Sequence, residues 1–404
     1  MNMSSKSNNE YDDDMTWSIA SYEPLVFVEH NGEIGYDFLD VEHSIARDVD
    51  YITQVVKRLL RTTSPLFAYM SGEAIRSRRP NGRSIKETKG GEVFLRCFEI
   101  DFDRILDKYP NLAKYNRYFA IFLDAVTHEV EFAKGMIPLS LVIKNEWLVW
   151  RDRLVFSEDT LVRIARYLNE AVVRIRVKGN GKDFKTWMTD IERQPRQNEE
   201  SLLSLVEACL SVNHHALVLR FDLGYAQFYG DAQRSGLMAV SYREVREHRV
   251  RMRRFLKREL KHRLLPGACK GMVFAIKLEY GLDKGYHFHV IVMLNGDVVW
   301  GDGAISEMIC DYWRHEITQG RGGACNCNFM RYKRRGIGSI RYSDVDKLPV
   351  LRTVVVPYIT KVDYYRDMVV PKWHRTFWSS HSPKVEAVPK GRKRKVVGEG
   401  ADSE

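Results

Sequence analysis

Two histidines, His287 and His289, stand two residues apart in the run Tyr286-His287-Phe288-His289-Val290-Ile291-Val292. On a strand, alternation sends both imidazoles out of one face while Phe288, Val290 and Val292 pack on the other. Two neutral imidazoles on one face are half of a metal site, although a packed or surface histidine pair produces the same pattern. The upstream strand separates the two readings. If Gly281–Gly285 closes a regular hairpin, Tyr280 pairs with Tyr286, Glu279 lies opposite His287, and Lys277 lies opposite His289. Opposed residues share a face, with Cβ atoms about 4.5–5.5 Å apart. A carboxylate beside two imidazoles, open to solvent, suits Mg²⁺ or Mn²⁺ and leaves positions for water or a phosphate oxygen. One strand earlier, Leu217, Leu219 and Phe221 share a face, with Arg220 and Asp222 on the other. Asp222 is therefore a candidate neighbour of the metal group, or an ordinary strand-end residue.

Farther along, Pro357-Tyr358-Ile359-Thr360-Lys361 reads as the start of a helix, because proline suits the first helical position. On that helix Tyr358, Lys361 and Tyr365 share one stripe. A tyrosine oxygen can attack a phosphodiester, but its ordinary pKa of about 10 makes it a weak nucleophile at neutral pH. A neighbouring cation, Lys361 or the metal, would lower that pKa or offset charge developing on the phosphate. By itself a Tyr-x-x-Lys pair is equally an ordinary amphipathic helix.

Taken in order, three segments form a set: Val218-Leu219-Arg220-Phe221-Asp222-Leu223, then Glu279 ahead of His287-Phe288-His289, then Tyr358-Ile359-Thr360-Lys361. The set resembles the HUH endonuclease superfamily, named for its His-hydrophobe-His motif. In detail it is similar to the rolling-circle replication initiators of filamentous (inovirus-type) phages and their prophage relatives. The resemblance covers residues 214–380 or thereabouts. It implies metal ligation by His287, His289 and Glu279, and attack by Tyr358 assisted by Lys361. The product would be a 5′-phosphotyrosine link with a free 3′ hydroxyl, made at an origin without ATP. The first segment departs from the usual threonine-rich pattern, which leaves the role of Asp222 open. Two-tyrosine members of the superfamily make Tyr365 and Tyr364 candidates for a second nucleophile. The partners implied are single-stranded DNA and origin duplex DNA in a bacterial host cytoplasm, with a host replication protein as a further candidate. Two other readings stand beside this one: a noncatalytic DNA-binding regulator with the same fold, and a zinc hydrolase built on His287 and His289.

Basic residues outnumber acidic ones, 63 to 53, which biases the chain toward phosphate-bearing partners. Arg331, Lys333, Arg334, Arg335 and Arg341 are interleaved with Tyr332 and Tyr342, a pattern suited to single strands because ring stacking and phosphate contacts combine there. Ten Lys or Arg between Arg243 and Arg263 form either a DNA-facing stripe or the solvated side of a helix whose Val245, Met252, Phe255, Leu256 and Leu260 pack inward. Cys325 and Cys327, with Cys310 and His315 nearby, hint at zinc, but structural zinc ligands are usually spaced more widely, so free thiols are the default. No Gly-x-x-x-x-Gly-Lys-Ser/Thr loop is present, which argues against a nucleotide-driven helicase.

The elements that must position these groups can be read from periodicity. Ile45, Val49, Ile52, Val55, Val56 and Leu59 recur at helical steps. Asn111–Ala133, Ser157–Val177 and Glu199–Val212 read as further helices, with Ser157 as a cap and Gly179-Asn180-Gly181 as a stop. After His214 the period changes to two. Strands are expected at His215–Leu223, Met272–Tyr280, Tyr286–Leu294 and Ile337–Tyr342, and helices at Ser241–Leu265 and Gly303–Thr318. The order β-α-β-β-α-β-α predicts an α+β fold with helices on one face of an antiparallel sheet, preceded by a mainly α-helical domain. The resulting division is a flexible acidic arm (1–40), a helical domain (41–212), the nicking domain (213–382) and a disordered basic tail (383–404). With 404 residues there is enough chain for two or three domains of about 150 residues. No apolar run is long enough to span a membrane, and six scattered cysteines do not form a disulfide framework, so a reducing compartment and no membrane partner are expected.

Overall fold

The computed structural model describes residues 28–30, 33–35, 45–70, 84–132, 135–147, 156–225, 240–282 and 284–383. The acidic cluster at Glu10–Asp14 and the basic run at Lys390–Lys395 lie outside these residues. Within the stretch expected to be a loose arm, Val28–His30 (β1) and Glu33–Gly35 (β2) pair antiparallel.

Helix α1 (Ile45–Leu59) buries the residues its spacing marks out: Ile45, Val49, Ile52, Val55, Val56 and Leu59. Two small hairpins follow it in the chain, Phe67–Met70 (β3) with Ser84–Glu87 (β4), and Glu129–Phe132 (β5) with Gly135–Pro138 (β6). The helix expected over Asn111–Ala133 is broken. A short turn over Leu112–Tyr115 ends at Asn116, α2 spans only Arg117–Val126, and β5 takes the remainder. Asn116 causes the break. Its Oδ1 accepts the Phe119 N–H, and its Nδ2 donates to Thr53 Oγ1 at 2.9 Å, so the side chain replaces a helical bond with a cap and a tertiary contact. Helix α3 (Glu158–Gly179) is capped by Ser157, which accepts the Thr160 N–H, and Gly179-Asn180-Gly181 ends it. Helix α4 runs over Lys182–Val212, far longer than the Glu199–Val212 stretch expected. Its first half packs Phe184, Trp187 and Met188 into the core of α1–α3, and its second half packs Leu202, Leu205, Val206 and Cys209 against the sheet.

The main sheet is antiparallel, with strand order β10-β7-β9-β8-β12, where β7 is His215–Tyr225, β8 Val273–Gly281, β9 Gly285–Asn295, β10 Gly322–Asn326 and β12 Phe377–Ser379. A further strand, β11 (Gly338–Arg341), shares the outer edge of β7 with β10: β10 pairs with Phe221–Tyr225 and β11 with His215–Val218. Helices α5 (Tyr242–Arg254) and α6 (Asp302–Asp311) cover the face that carries Leu217, Leu219, Phe221, Phe274, Ile276, Phe288, Val290 and Val292. The other face is not bare. Ala216, Val218, Val273, Ala275, Ile291 and Met293 pack on α4 and on α7 (Val356–Thr360). The expectation of helices on one face is therefore corrected: both faces are covered at one end of the sheet, because both alternating sets of β7 and β9 are apolar there.

Helix α7 is the last turn of a helical run, 347–360, that does not begin at Pro357. A wider turn over Leu351–Val355, closed by the Val356 N–H on the Leu351 carbonyl, precedes the proline, which has no N–H to place in a regular ladder. The helix ends at Thr360, and Lys361 is extended at φ −49° and ψ 160°. Tyr365 therefore does not share a helical stripe with Tyr358.

Candidate metal centre and its tyrosine

The other half of that second sheet face carries Arg220 and Asp222 from β7, Lys277 and Glu279 from β8, and His287 and His289 from β9. The hairpin register aligns Glu279 with His287, Lys277 with His289 and Tyr280 with Tyr286. Asp222 aligns with His289 from the other side. Gly285 closes the hairpin at φ +60°, a left-handed conformation that costs glycine little.

Glu279, His287 and His289 place ligand atoms within 4.8 Å of one another and could hold a metal ion. Glu279 Oε2 lies 3.1 Å from His289 Nε2 and 3.6 Å from His287 Nε2. The opposite ring nitrogens are occupied: His287 Nδ1 faces the Gly285 carbonyl at 3.1 Å, and His289 Nδ1 faces Asp222 Oδ1 at 2.7 Å. Metal-ligating histidines are commonly held in this way, one nitrogen on a carbonyl or carboxylate and the other turned to the ion. Glu279 is 6% exposed, and its Oε1 is buried without a hydrogen-bond partner among the described residues. An orphaned carboxylate oxygen is costly unless a cation satisfies it. The donor set thus fits a divalent ion, and two nitrogens with one or two oxygens leave coordination positions for other ligands.

The electrostatics agree with the geometry. Burial opposes charge on Glu279, yet His289 and Lys361 hold its carboxyl well below the ordinary range. Burial likewise opposes charge on His289, and the Asp222 and Glu279 carboxylates on either side outweigh it and raise its pKa. Asp222 is pulled down in spite of its burial by His289 and by Arg220, whose Nη2 lies 3.3 Å from Asp222 Oδ2.

Tyr358 reaches this group from α7. Its ring stands edge-on to His289 with centroids 5.4 Å apart. The Arg220 guanidinium and Lys361 Nζ each lie 4.5 Å from the Tyr358 ring centroid, and Lys361 Nζ is 3.5 Å from Glu279 Oε2. Burial raises the Tyr358 hydroxyl pKa, and Lys361 opposes that rise. Tyr358, Lys361, Glu279, His287, His289 and Asp222 are therefore gathered at one place.

Tyr364 and Tyr365 are not. Tyr364 stacks on Trp187 with centroids 6.2 Å apart, and Tyr365, 8% exposed, accepts a hydrogen bond from Asn116 Nδ2 at 3.4 Å. Both sit in the core of α1–α3, where burial pushes their hydroxyls far above the ordinary value. The helix ends at Thr360, and the chain beyond Lys361 carries them into that core rather than to the metal group.

Among the basic candidates, Arg331, Lys333, Arg334 and Arg341 are exposed. Arg335 is engaged in the fold instead, with Nη2 2.8 Å from Asp302 Oδ2 and 2.8 Å from the Asn328 carbonyl. The cationic side chains of α5 lie on the sheet face opposite the metal group, and several are tied down: Arg251 to the Ile317 carbonyl and Arg249 over the Trp378 ring. Sequence reasoning missed two buried members of the site. Arg220 was placed on the right face without a role. Lys277, 3% exposed, donates to Thr376 Oγ1 at 3.3 Å. The signal for both was available, since a charged residue amid an apolar strand needs a partner.

No protein-family model, curated protein or solved structure matches the chain. Among the described residues, no helix is long and apolar enough to cross a membrane.

Proposed function

We propose that the chain nicks and rejoins single-stranded DNA at a replication origin by tyrosine transesterification, as an HUH-type rolling-circle initiator. The observation that carries this reading is the meeting of Tyr358 and Lys361, from α7, with Glu279, His287 and His289 on the central hairpin. The sheet supports it as well: an antiparallel array with the His-x-His strand at its centre, flanked by the strands that carry Asp222 and Glu279.

In this reading Tyr358 Oη forms a bond to the scissile phosphorus as the P–O3′ bond breaks. The strand is then held as a 5′-phosphotyrosine with a free 3′ hydroxyl, and attack by a 3′ hydroxyl reverses the step. A bound Mg²⁺ or Mn²⁺ would supply Lewis-acid polarisation of a phosphate oxygen. Glu279, His287 and His289 would hold that ion, with Asp222 and the Gly285 carbonyl fixing the two rings. Lys361 and Arg220, flanking the tyrosine ring, oppose the rise that burial imposes on its hydroxyl pKa. Arg331, Lys333, Arg334 and Arg341 would contact the strand, and origin duplex and a host replication protein remain the further partners this function calls for.

A noncatalytic DNA-binding regulator is the second reading, and one observation favours it: both nitrogens of His289 already face carboxylates, so that ring is paired without an ion. Incubation with Mn²⁺ and single-stranded oligonucleotides tiled across the neighbouring genome separates the two. Nicking predicts an SDS-resistant protein–DNA adduct, removed by chelator and by Tyr358→Phe, with DNA binding retained in the variant. Binding without any adduct favours the regulator.

A further inference from the structure

Granted the single-stranded DNA reading of the metal group, we propose that Trp373 is a stacking platform for a base of the bound strand, with Lys372 and Arg375 on the adjacent phosphates. Tryptophan is highly buried on average, yet Trp373 is 85% exposed, the highest value among the large apolar side chains of the described residues. Trp313 is fully buried by contrast, and the Trp378 ring is covered by the Arg249 guanidinium, 4.2 Å from its centroid. Trp373 stands in the turn Pro371-Lys372-Trp373-His374-Arg375 that leads into β12, and Lys372 and Arg375 are also exposed. No acidic residue occurs between 368 and 385. A polyanion therefore meets no carboxylate along this stretch of chain, and an exposed ring among cations is the combination that single strands bind. A membrane surface would need more apolar area than one ring supplies.

The turn is braced from within the fold. The His374 N–H closes it on the Pro371 carbonyl at 2.9 Å, and Arg366 Nη2 donates to the Lys372 and His374 carbonyls, each at 2.9 Å. The His374 ring stacks on Tyr242 of α5, with centroids 5.4 Å apart and planes 22° apart. Trp373 is thus presented to solvent by a backbone already held in place, which lowers the ordering cost when a base binds. Its position relative to the metal group follows from the sheet register. Phe377 pairs with Lys277, and the Leu278 N–H donates to the Thr376 carbonyl at 2.7 Å, so Arg375 comes level with Glu279 along the β8 edge. Lys277, on the same strand as Glu279, also ties its side chain to Thr376 Oγ1. A strand with a phosphate at Glu279, His287 and His289 that leaves across β8 arrives at this turn. The loop carrying Arg331, Lys333 and Arg334 follows β10 at the opposite edge of the sheet, so the two segments would hold the strand on either side of the metal group.

The test measures, by fluorescence anisotropy in Mg²⁺ buffer, binding of the full-length chain to a labelled oligothymidylate and to an abasic oligonucleotide of the same length. A Tyr358→Phe background keeps the strands whole. Trp373→Ala should weaken oligothymidylate binding about fivefold or more, Trp373→Phe should stay within about threefold, and neither should change binding to the abasic strand. Lys372→Ala and Arg375→Ala should each lower the salt dependence by about one phosphate contact on both strands. Because Trp373 is exposed, its alanine variant should keep the fold, which circular dichroism checks. The metal-dependent adduct is scored separately with Tyr358 restored. A stacking loss without any adduct keeps the platform and sinks the nicking reading, whereas an adduct formed with oligothymidylate affinity unchanged in Trp373→Ala does the reverse. An equal loss on the abasic strand, or no binding of oligothymidylate by the parent chain, also overturns the proposal. If Trp373→Ala binds oligothymidylate normally but no longer binds phosphatidylserine vesicles, the turn belongs to a membrane instead.

Discussion

Glu279 shows how much a single buried carboxylate can demand of its surroundings. One oxygen meets His287, His289 and Lys361, while the other has no partner among the described residues. Glu279→Gln keeps the shape and removes the charge, and Mn²⁺ affinity measured by titration calorimetry should fall by at least about tenfold. Stoichiometric zinc that resists exchange for Mn²⁺ would point to the hydrolase reading instead. The three tyrosines divide in the same manner. Tyr358→Phe should abolish adduct formation on a denaturing gel, whereas Tyr364→Phe and Tyr365→Phe should leave it intact, because those rings lie in the helical core. The sequence could place all three tyrosines near one motif, but it could not show that the helix stops at Thr360.

At the scale of elements, local chemistry was the most legible part of the chain. Ser241 and Glu244 form a reciprocal capping box at the start of α5. The Ser241 backbone N–H, with help from Arg321, holds the Glu244 carboxyl down to about 2. In the unfolded chain it titrates near 4.3, so between these values the unfolded state binds more protons and stability rises with pH. The contribution is full above about pH 4.3 and is lost as pH falls toward 2. Glu244→Gln should therefore flatten the pH dependence of the urea midpoint in that window while leaving Mn²⁺ affinity unchanged. Where elements meet, the sequence was less informative. Gly336 shows why: a Cβ there would sit 2.6 Å from the backbone nitrogen of Leu351. Because that neighbour is backbone, Gly336→Ala should cost about 1–3 kcal/mol in denaturant unfolding. Neither β10 nor β12 was foreseen, because Gly-Gly-Ala-Cys-Asn has little strand propensity of its own and pairs only because the β7 edge is free there.

Across the whole molecule, the helical half and the sheet are joined by two devices. Helix α4 contributes to both cores, and the segment after Lys361 carries Tyr364, Tyr365 and Met368 into the core of α1–α3, where Leu282 of the hairpin tip also packs. The helical half thus braces both the hairpin that carries the metal group and the chain that follows the tyrosine. Tyr365→Ala should cost about 3 kcal/mol or more, since it empties a buried aromatic site, and calorimetry should show it lowering the unfolding temperature. If the thermogram is unchanged, this docking contributes nothing to stability. The hairpin register, and with it the alignment of Glu279, His287 and Lys277, was determined by sequence alone, because a short connection closed by the Gly281 and Gly285 pair and strict alternation leave one pairing that buries the apolar set. The apolar spacing of α1, the Ser157 cap and the Ser241 helix start were determined in the same local way. Only the tertiary structure decided that Arg220 and Asp222 join the site, that Tyr358 lies against His289, and that Tyr365 does not approach it. Those contacts join residues far apart in the chain, and they follow from which face each element buries, a choice made by the assembled core.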